Sequence, residues 1–324
     1  MAGDGGPPEQ AHSLGLERRL RQVALIAALA VFAYLGLAVL GDGALLREGL
    51  QRLGSGQWLT LFGLSLCNYG LRFLRWHAYL RALGALGARV TLGRDLLIYV
   101  AGFAFTVTPG KAGEAVRSFY LRGLGVPWSP GLAALAVERV LDLTVILMLA
   151  ALALRVFADQ AVPALLLVGL VAGLLVGVTR PRVARVLLGW LPAGGRWGRL
   201  ARGTTAMLDD ARLLLAPRRL LMGLGLGLFA WGAEAWGFYL LLEWLGVAAE
   251  PGHAMGIYAV GMLSGALSFL PGGLGGAEAA MIALLVAGGT VLGTAVLATL
   301  LCRAVTLWFA VVLGIGAVVL LGRR

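Results

Sequence analysis

Thr108-Pro109-Gly110-Lys111-Ala112-Gly113-Glu114-Ala115-Val116-Arg117 interrupts an apolar run, and it has an echo far downstream in Leu270-Pro271-Gly272-Gly273-Leu274-Gly275-Gly276-Ala277-Glu278-Ala279. Both stretches open with Pro-Gly, which removes a backbone donor and loosens φ/ψ, so a helix breaks there. Each then restarts a helical pattern carrying a glutamate at membrane depth. Hydrophobic segments interrupted by glycine and proline in corresponding halves of a chain point to a transport site built from broken helices. The sequence therefore predicts an all-α fold: a polytopic membrane helix bundle with two re-entrant, Pro-Gly-broken hairpins in an inverted repeat.

Composition agrees with this assignment. The 324 residues are 60% hydrophobic and 13% charged, with a mean hydropathy of +0.88, whereas about a quarter of a soluble chain is charged. Several apolar runs approach or exceed the roughly 20 residues that cross a bilayer. The net charge of +11 comes mostly from arginines between spans, where the positive-inside bias and anionic headgroups account for it. No aromatic-basic interleaving or binding motif supports nucleic acid. Cys67 and Cys302 each sit in an apolar run, and His12, His77 and His253 are scattered. Neither a disulfide framework, a metal site nor a cofactor is expected.

Residues 1–21 read as a disordered cytoplasmic tail ending in Arg18, Arg19 and Arg21. The run Val23–Leu40 exceeds the usual signal-peptide core of about 7–15 residues, so a retained first span is expected rather than a cleaved leader. The first membrane half, 22–179, continues with a span from Trp58 to about Leu83, whose arginine-rich end (Arg72, Arg75, Arg81, Arg89, Arg94) argues for a cytoplasmic exit. A re-entrant hairpin over about 95–122 follows, then spans Leu132–Leu154 and Val162–Val178, the latter carrying a Gly169/Gly173/Gly177 packing stripe. Residues 180–219 hold nine arginines against Asp209 and Asp210 and read as a basic, amphipathic cytoplasmic linker. The second half, 220–324, has a span Leu220–Leu245, a hairpin over about 255–289 and a last span Val291–Leu321. Gly223-x-Gly225-x-Gly227 lies inside a span with no preceding strand, so it is not a nucleotide fingerprint. With both Pro-Gly segments re-entrant and the N-terminus inside, the linker and the C-terminal arginines also fall inside. The two hairpins then enter from opposite faces.

A charge at membrane depth costs about 2.5–3.5 kcal/mol even on insertion scales, so each needs a partner or a use. The candidates are Lys111, Glu114, Arg117, Glu138, Arg139, Asp142, Glu234, Glu278 and Arg303. Glu138 and Asp142 share one helical face, with Arg139 three residues before Asp142. Taken alone, that turn is either a salt-bridge knot or part of a polar cavity, and the other candidates favour the cavity. Arg139 follows Pro109 by 30 residues and Arg303 follows Pro271 by 32, so a break, a glutamate and an arginine-bearing span recur in order. Helices restarting after the breaks offer N-termini to an anion. With Arg117, Arg139 and Arg303 near, a lipid phosphate is the expected guest, gripped by planar guanidinium forks. An intramembrane enzyme using Glu138 and Asp142 as acid and base is the alternative, although no nucleophile-base pair accompanies them. A non-catalytic partner of a lipid-modifying synthase, docking through the basic linker, is another.

Pro109-Gly110-x-x-Gly113-Glu114-x-x-Arg117, Glu138-Arg139-x-x-Asp142 and Pro271-Gly272-Gly273-x-Gly275-x-x-Glu278, in that order, resemble the lysylphosphatidylglycerol synthase transmembrane-region family over about residues 20–320. That family includes the flippase-like membrane domain of the multiple peptide resistance factor. The resemblance implies translocation of an anionic phospholipid or polyprenyl-linked lipid across the cytoplasmic membrane, with Glu114, Arg117, Glu138, Arg139, Asp142 and Glu278 lining the site. The soluble aminoacyl-transfer domain of the full synthase has no counterpart in these residues, so lipid aminoacylation by this chain alone is not expected.

Overall fold

The computed structural model describes residues 51–108, 113–154, 169, 173 and 195–323. The tail, the first span, Pro109, Gly110, Lys111, most of Val162–Val178 and the start of the basic linker lie outside the described residues. The rest is all-α: α1 (Ser55–Ala82), α2 (Leu92–Ala101), α3 (Val116–Gly123), α4 (Trp128–Leu154), α5 (Gly195–Leu214), α6 (Pro217–Trp244), α7 (Pro251–Leu267) and α8 (Gly276–Ala287). The last, α9 (Leu292–Gly322), is one long helix with a π-turn at Ala304–Trp308.

Local chemistry sets these limits. The Gln57 side chain accepts from the Gly54 N–H at 2.6 Å to open α1, and Thr91 caps α2 with Asp95 in its first turn. Proline opens both α6 and α7 at a position where the missing N–H costs nothing. After α2 the chain tightens into a 3-10 turn, Gly102–Phe105, and then enters the first break. After α7 it turns through Gly272, Gly273 and Gly275, whose φ values of 66°, 67° and 85° exclude residues with a β-carbon except under strain.

α6 and α9 have both the length and the apolar composition of membrane spans. At 28 and 27 residues α1 and α4 also have the length, but they carry several charged residues. Many charges face inward: Arg72, Arg75, Glu114, Arg117, Glu138, Asp142, Glu234, Glu278 and Arg303 are buried, while Leu59, Leu221, Phe229 and Val291 are exposed. A polar interior inside an apolar exterior suits a lipid surround.

Packing crosses between the halves. α1 lies against α6, α4 lies against α7, and the distal part of α9 lies against α2 and its 3-10 turn. The last contact is close because residue 314 is glycine. A β-carbon there would stand 2.1 Å from the Ala104 backbone nitrogen.

Candidate functional site

The α1 stripe Ser65, Asn68, Arg72, Arg75 faces the interior. Asn68 donates to the Ala230 carbonyl of α6 at 2.9 Å, and the two arginines reach α4. Arg75 Nη2 lies 2.5 Å from Asp142 Oδ1 and its Nε 3.8 Å from Glu138 Oε1. Arg72 Nη2 lies 3.2 Å from the other Asp142 oxygen. The sequence reading used Arg72 and Arg75 only as part of an arginine cluster at a cytoplasmic exit, and the structure buries both of them. They hold the carboxylates of α4, and only Arg81, Arg89 and Arg94 of that cluster are exposed. A guanidinium this deep needs a carboxylate, and α4 supplies two. The polar spacing of three, four and three along α1 was the signal that would have revealed it.

From the first break, Glu114 and Arg117 join the same network. Arg117 spans Glu114 (3.0 Å) and Glu138 (3.3 Å), and its guanidinium lies over the Tyr99 ring at 4.0 Å, a cation–π contact in a desolvated setting. Its side chain fills the space that a β-carbon on Gly102 would need. Arg139 Nη2 stands 3.3 Å from Glu114 Oε2 and 3.4 Å from Asp142 Oδ2. Gly113 donates to Thr108 Oγ1 at 2.7 Å. Four arginines and three carboxylates thus meet on α1, α3, α4 and the break.

The second half has a smaller device. Arg303 Nε donates to Glu278 Oε1 at 2.7 Å and Nη2 to the Gly272 carbonyl at 2.9 Å, so one guanidinium clips the Pro271 turn to α9. The other Glu278 oxygen accepts from the Gly275 N–H at 2.6 Å. This corrects a second expectation. The N-terminus of α8 is not an open anion site, because Glu278, in its first turn, supplies the anion itself. Both glutamate-arginine pairs, Glu114 with Arg139 and Glu278 with Arg303, are separated by 25 residues.

Between the two devices lies a cavity of about 300 Å³. Arg139, Asp142, Thr108 and Arg303 line it with the Gly272–Gly273 backbone, and Leu143, Ile146, Trp231, Leu267 and Phe269 supply an apolar wall. Phe269 holds a φ of 52°, rare for a bulky side chain, and is exposed. Nε and Nη2 of Arg139 are buried and make no hydrogen bond. Of the other residues expected at the site, Glu114, Arg117, Glu138 and Glu278 sit behind the wall as partners of the arginines. Pro271 opens the turn, and Gly275 caps α8. Among the described residues no group of His, Cys, Asp and Glu is arranged to hold a metal.

Residues 21–314 match the lysylphosphatidylglycerol synthase TM region. The chain belongs to that family. No curated protein matches it. For a lysylphosphatidylglycerol synthase TM-region protein, the order of the three charged motifs along the chain becomes an order in space. The second lines the cavity through Arg139 and Asp142, with Glu114 and Arg117 of the first behind it, and the third lines it through Gly272 and Gly273.

Proposed function

We propose that this protein moves an anionic phospholipid or polyprenyl-linked lipid between leaflets, as a transporter rather than an enzyme. The observation that carries this is the cavity, which faces Arg139 and Arg303 from two different helices against an apolar wall. A phosphate between two guanidinium forks and an acyl or prenyl chain along Trp231 and Phe269 is the guest that satisfies both surfaces. Arg139 spans Glu114 and Asp142 while it waits, so the phosphate replaces weak contacts rather than filling a void.

The exchange of packing between halves supports an inverted repeat. The arginine helix of each half (α4, α9) lies on the first hairpin helix of the other (α7, α2). In this arrangement the Pro109 hairpin dips in from the cytoplasmic face and the Pro271 hairpin from the opposite face, with both termini cytoplasmic. Rocking of one half against the other would then carry the cavity from leaflet to leaflet. α5 and the basic residues around it offer a cytoplasmic platform on which a lipid-modifying synthase would dock.

The test is reconstitution into vesicles with a fluorescent anionic phospholipid. The wild type accelerates leaflet exchange, and Arg139→Ala abolishes it while the protein still folds. Normal exchange by that variant would remove the anion role of Arg139. Single cysteines beside Pro109 and Pro271 that label from the same side would overturn the inverted arrangement.

A further inference from the structure

Besides Glu114, Glu138, Asp142 and Glu278, the described residues bury a carboxylate in the middle of α6, Glu234. Glu234 accepts from the Tyr258 hydroxyl of α7 at 2.5 Å. It lines a chamber of about 50 Å³ that shares Trp231, Met262, Arg303 and Leu307 with the main cavity. On its other side is a pocket of about 10 Å³, roughly the volume one water needs.

We propose that Glu234 takes up a proton when the anionic lipid binds and releases it when the lipid leaves, so that transport is lipid–proton symport. This rests on the flippase reading and names its coupling. A phosphodiester entering between Arg139 and Arg303 adds one negative charge beside the chamber that Glu234 lines, and one proton on that carboxylate offsets it. Glu234 suits this role because of its partner. A tyrosine hydroxyl donates to a carboxylate and accepts from a carboxylic acid, so the Glu234–Tyr258 bond persists in both states. Arginine has donors only, so protonating Glu138 or Asp142, which meet guanidinium groups, would turn an acid O–H toward N–H groups.

The groups facing Glu234 come from each helix packed on α6. α1 presents Tyr69 and Arg72, with the Tyr69 hydroxyl donating to the Thr306 carbonyl of the π-turn. α9 presents Cys302 and Arg303. α4 acts through Asp142, which holds Arg72, and Glu114 lies across the chamber. The proton moves between the chamber and the Glu234 carboxylate, and no covalent bond other than O–H forms or breaks.

The experiment is titration of the purified, full-length protein with dihexanoylphosphatidylglycerol in weakly buffered detergent, following bound lipid and proton uptake together. The wild type takes up about one proton per lipid, and its affinity falls up to about tenfold for each pH unit of increase. Glu234→Gln binds the lipid with no uptake and a flat pH profile. Tyr258→Phe, which loses the donor to the ionised form, moves the onset of uptake to higher pH and serves if Glu234→Gln does not fold. Wild-type binding without uptake, unchanged uptake in Glu234→Gln or an unmoved onset in Tyr258→Phe overturns the coupling and leaves the phosphate site standing. Absence of lipid binding by the wild type overturns the flippase reading, and this inference with it.

Discussion

The two halves hold their glutamate-arginine pairs in different company. Arg139 and Glu114 are embedded in a seven-charge network in which Asp142 alone meets Arg72, Arg75 and Arg139. Arg303 and Glu278 form one pair, anchored to a carbonyl of the Pro271 turn. The equal spacing of the pairs marks a shared device, and their surroundings divide the labour. Moving the first would break several buried ion pairs at once, so that wall is fixed. Moving the second requires one guanidinium to let go of a carboxylate and a glycine carbonyl, so the Pro271 turn is the part of the cavity able to yield. Its positive-φ glycines give the backbone latitude to do so.

The sharpest way to break this contrast is to remove the hub. Asp142→Asn leaves Arg72 and Arg75 buried without their shared carboxylate, and a loss of about 3–5 kcal/mol is expected, read as a large fall in the thermal midpoint in detergent. Glu278→Gln should cost less, about 1–3 kcal/mol, because the amide oxygen still accepts one of the two hydrogen bonds. It should also tighten binding of short-chain phosphatidylglycerol, since Arg303 loses a competing anion. Equal destabilisation by the two variants would mean that the halves are braced alike.

Much of this fold was legible because helix breaks and caps are written locally. Pro217 and Pro251 open helices, Thr91 and Asp95 begin α2, and the Pro271-Gly272-Gly273 turn falls where glycine and proline require a break. Helix limits deduced from apolar runs, such as Val291–Leu321 against the observed Leu292–Gly322, differ by a residue or so. The site was legible only in part, for a physical reason. Glu138, Arg139 and Asp142 announce themselves by spacing within one helix. The burial of Arg72 and Arg75, by contrast, depends on α1 meeting α4 and α6: the spacing of Ser65, Asn68, Arg72 and Arg75 marks one polar face but not the helices that cover it. The occupied N-terminus of α8 was missed because Glu278 was read as lining the site, although three residues after Gly275 is the position from which a carboxylate caps its own helix.

The smallest effect concerns how α6 touches the fixed wall. Gly223, Gly225 and Gly227 look alike in sequence, yet they face different surroundings. A β-carbon at Gly223 would collide with the Tyr79 hydroxyl at 2.0 Å, and one at Gly227 would press on Arg75 Nη1 at 3.0 Å and Val145 at 3.2 Å, whereas Gly225 has nothing within 4 Å. The Gly223 carbonyl also accepts from Arg75 at 3.4 Å. Two of the three glycines therefore exist so that α6 can lie against the charged network. Gly227→Ala should lower stability by about 1 kcal/mol through overpacking against Arg75. Gly225→Ala should raise it by up to about 1 kcal/mol, as an open mid-helix glycine gives way to a better helix former. Thermal midpoints of the two variants, compared in one detergent, check the difference in sign. If both lower stability alike, α6 is strained as a whole, and the fixed wall does not end at the face that Gly223 and Gly227 share.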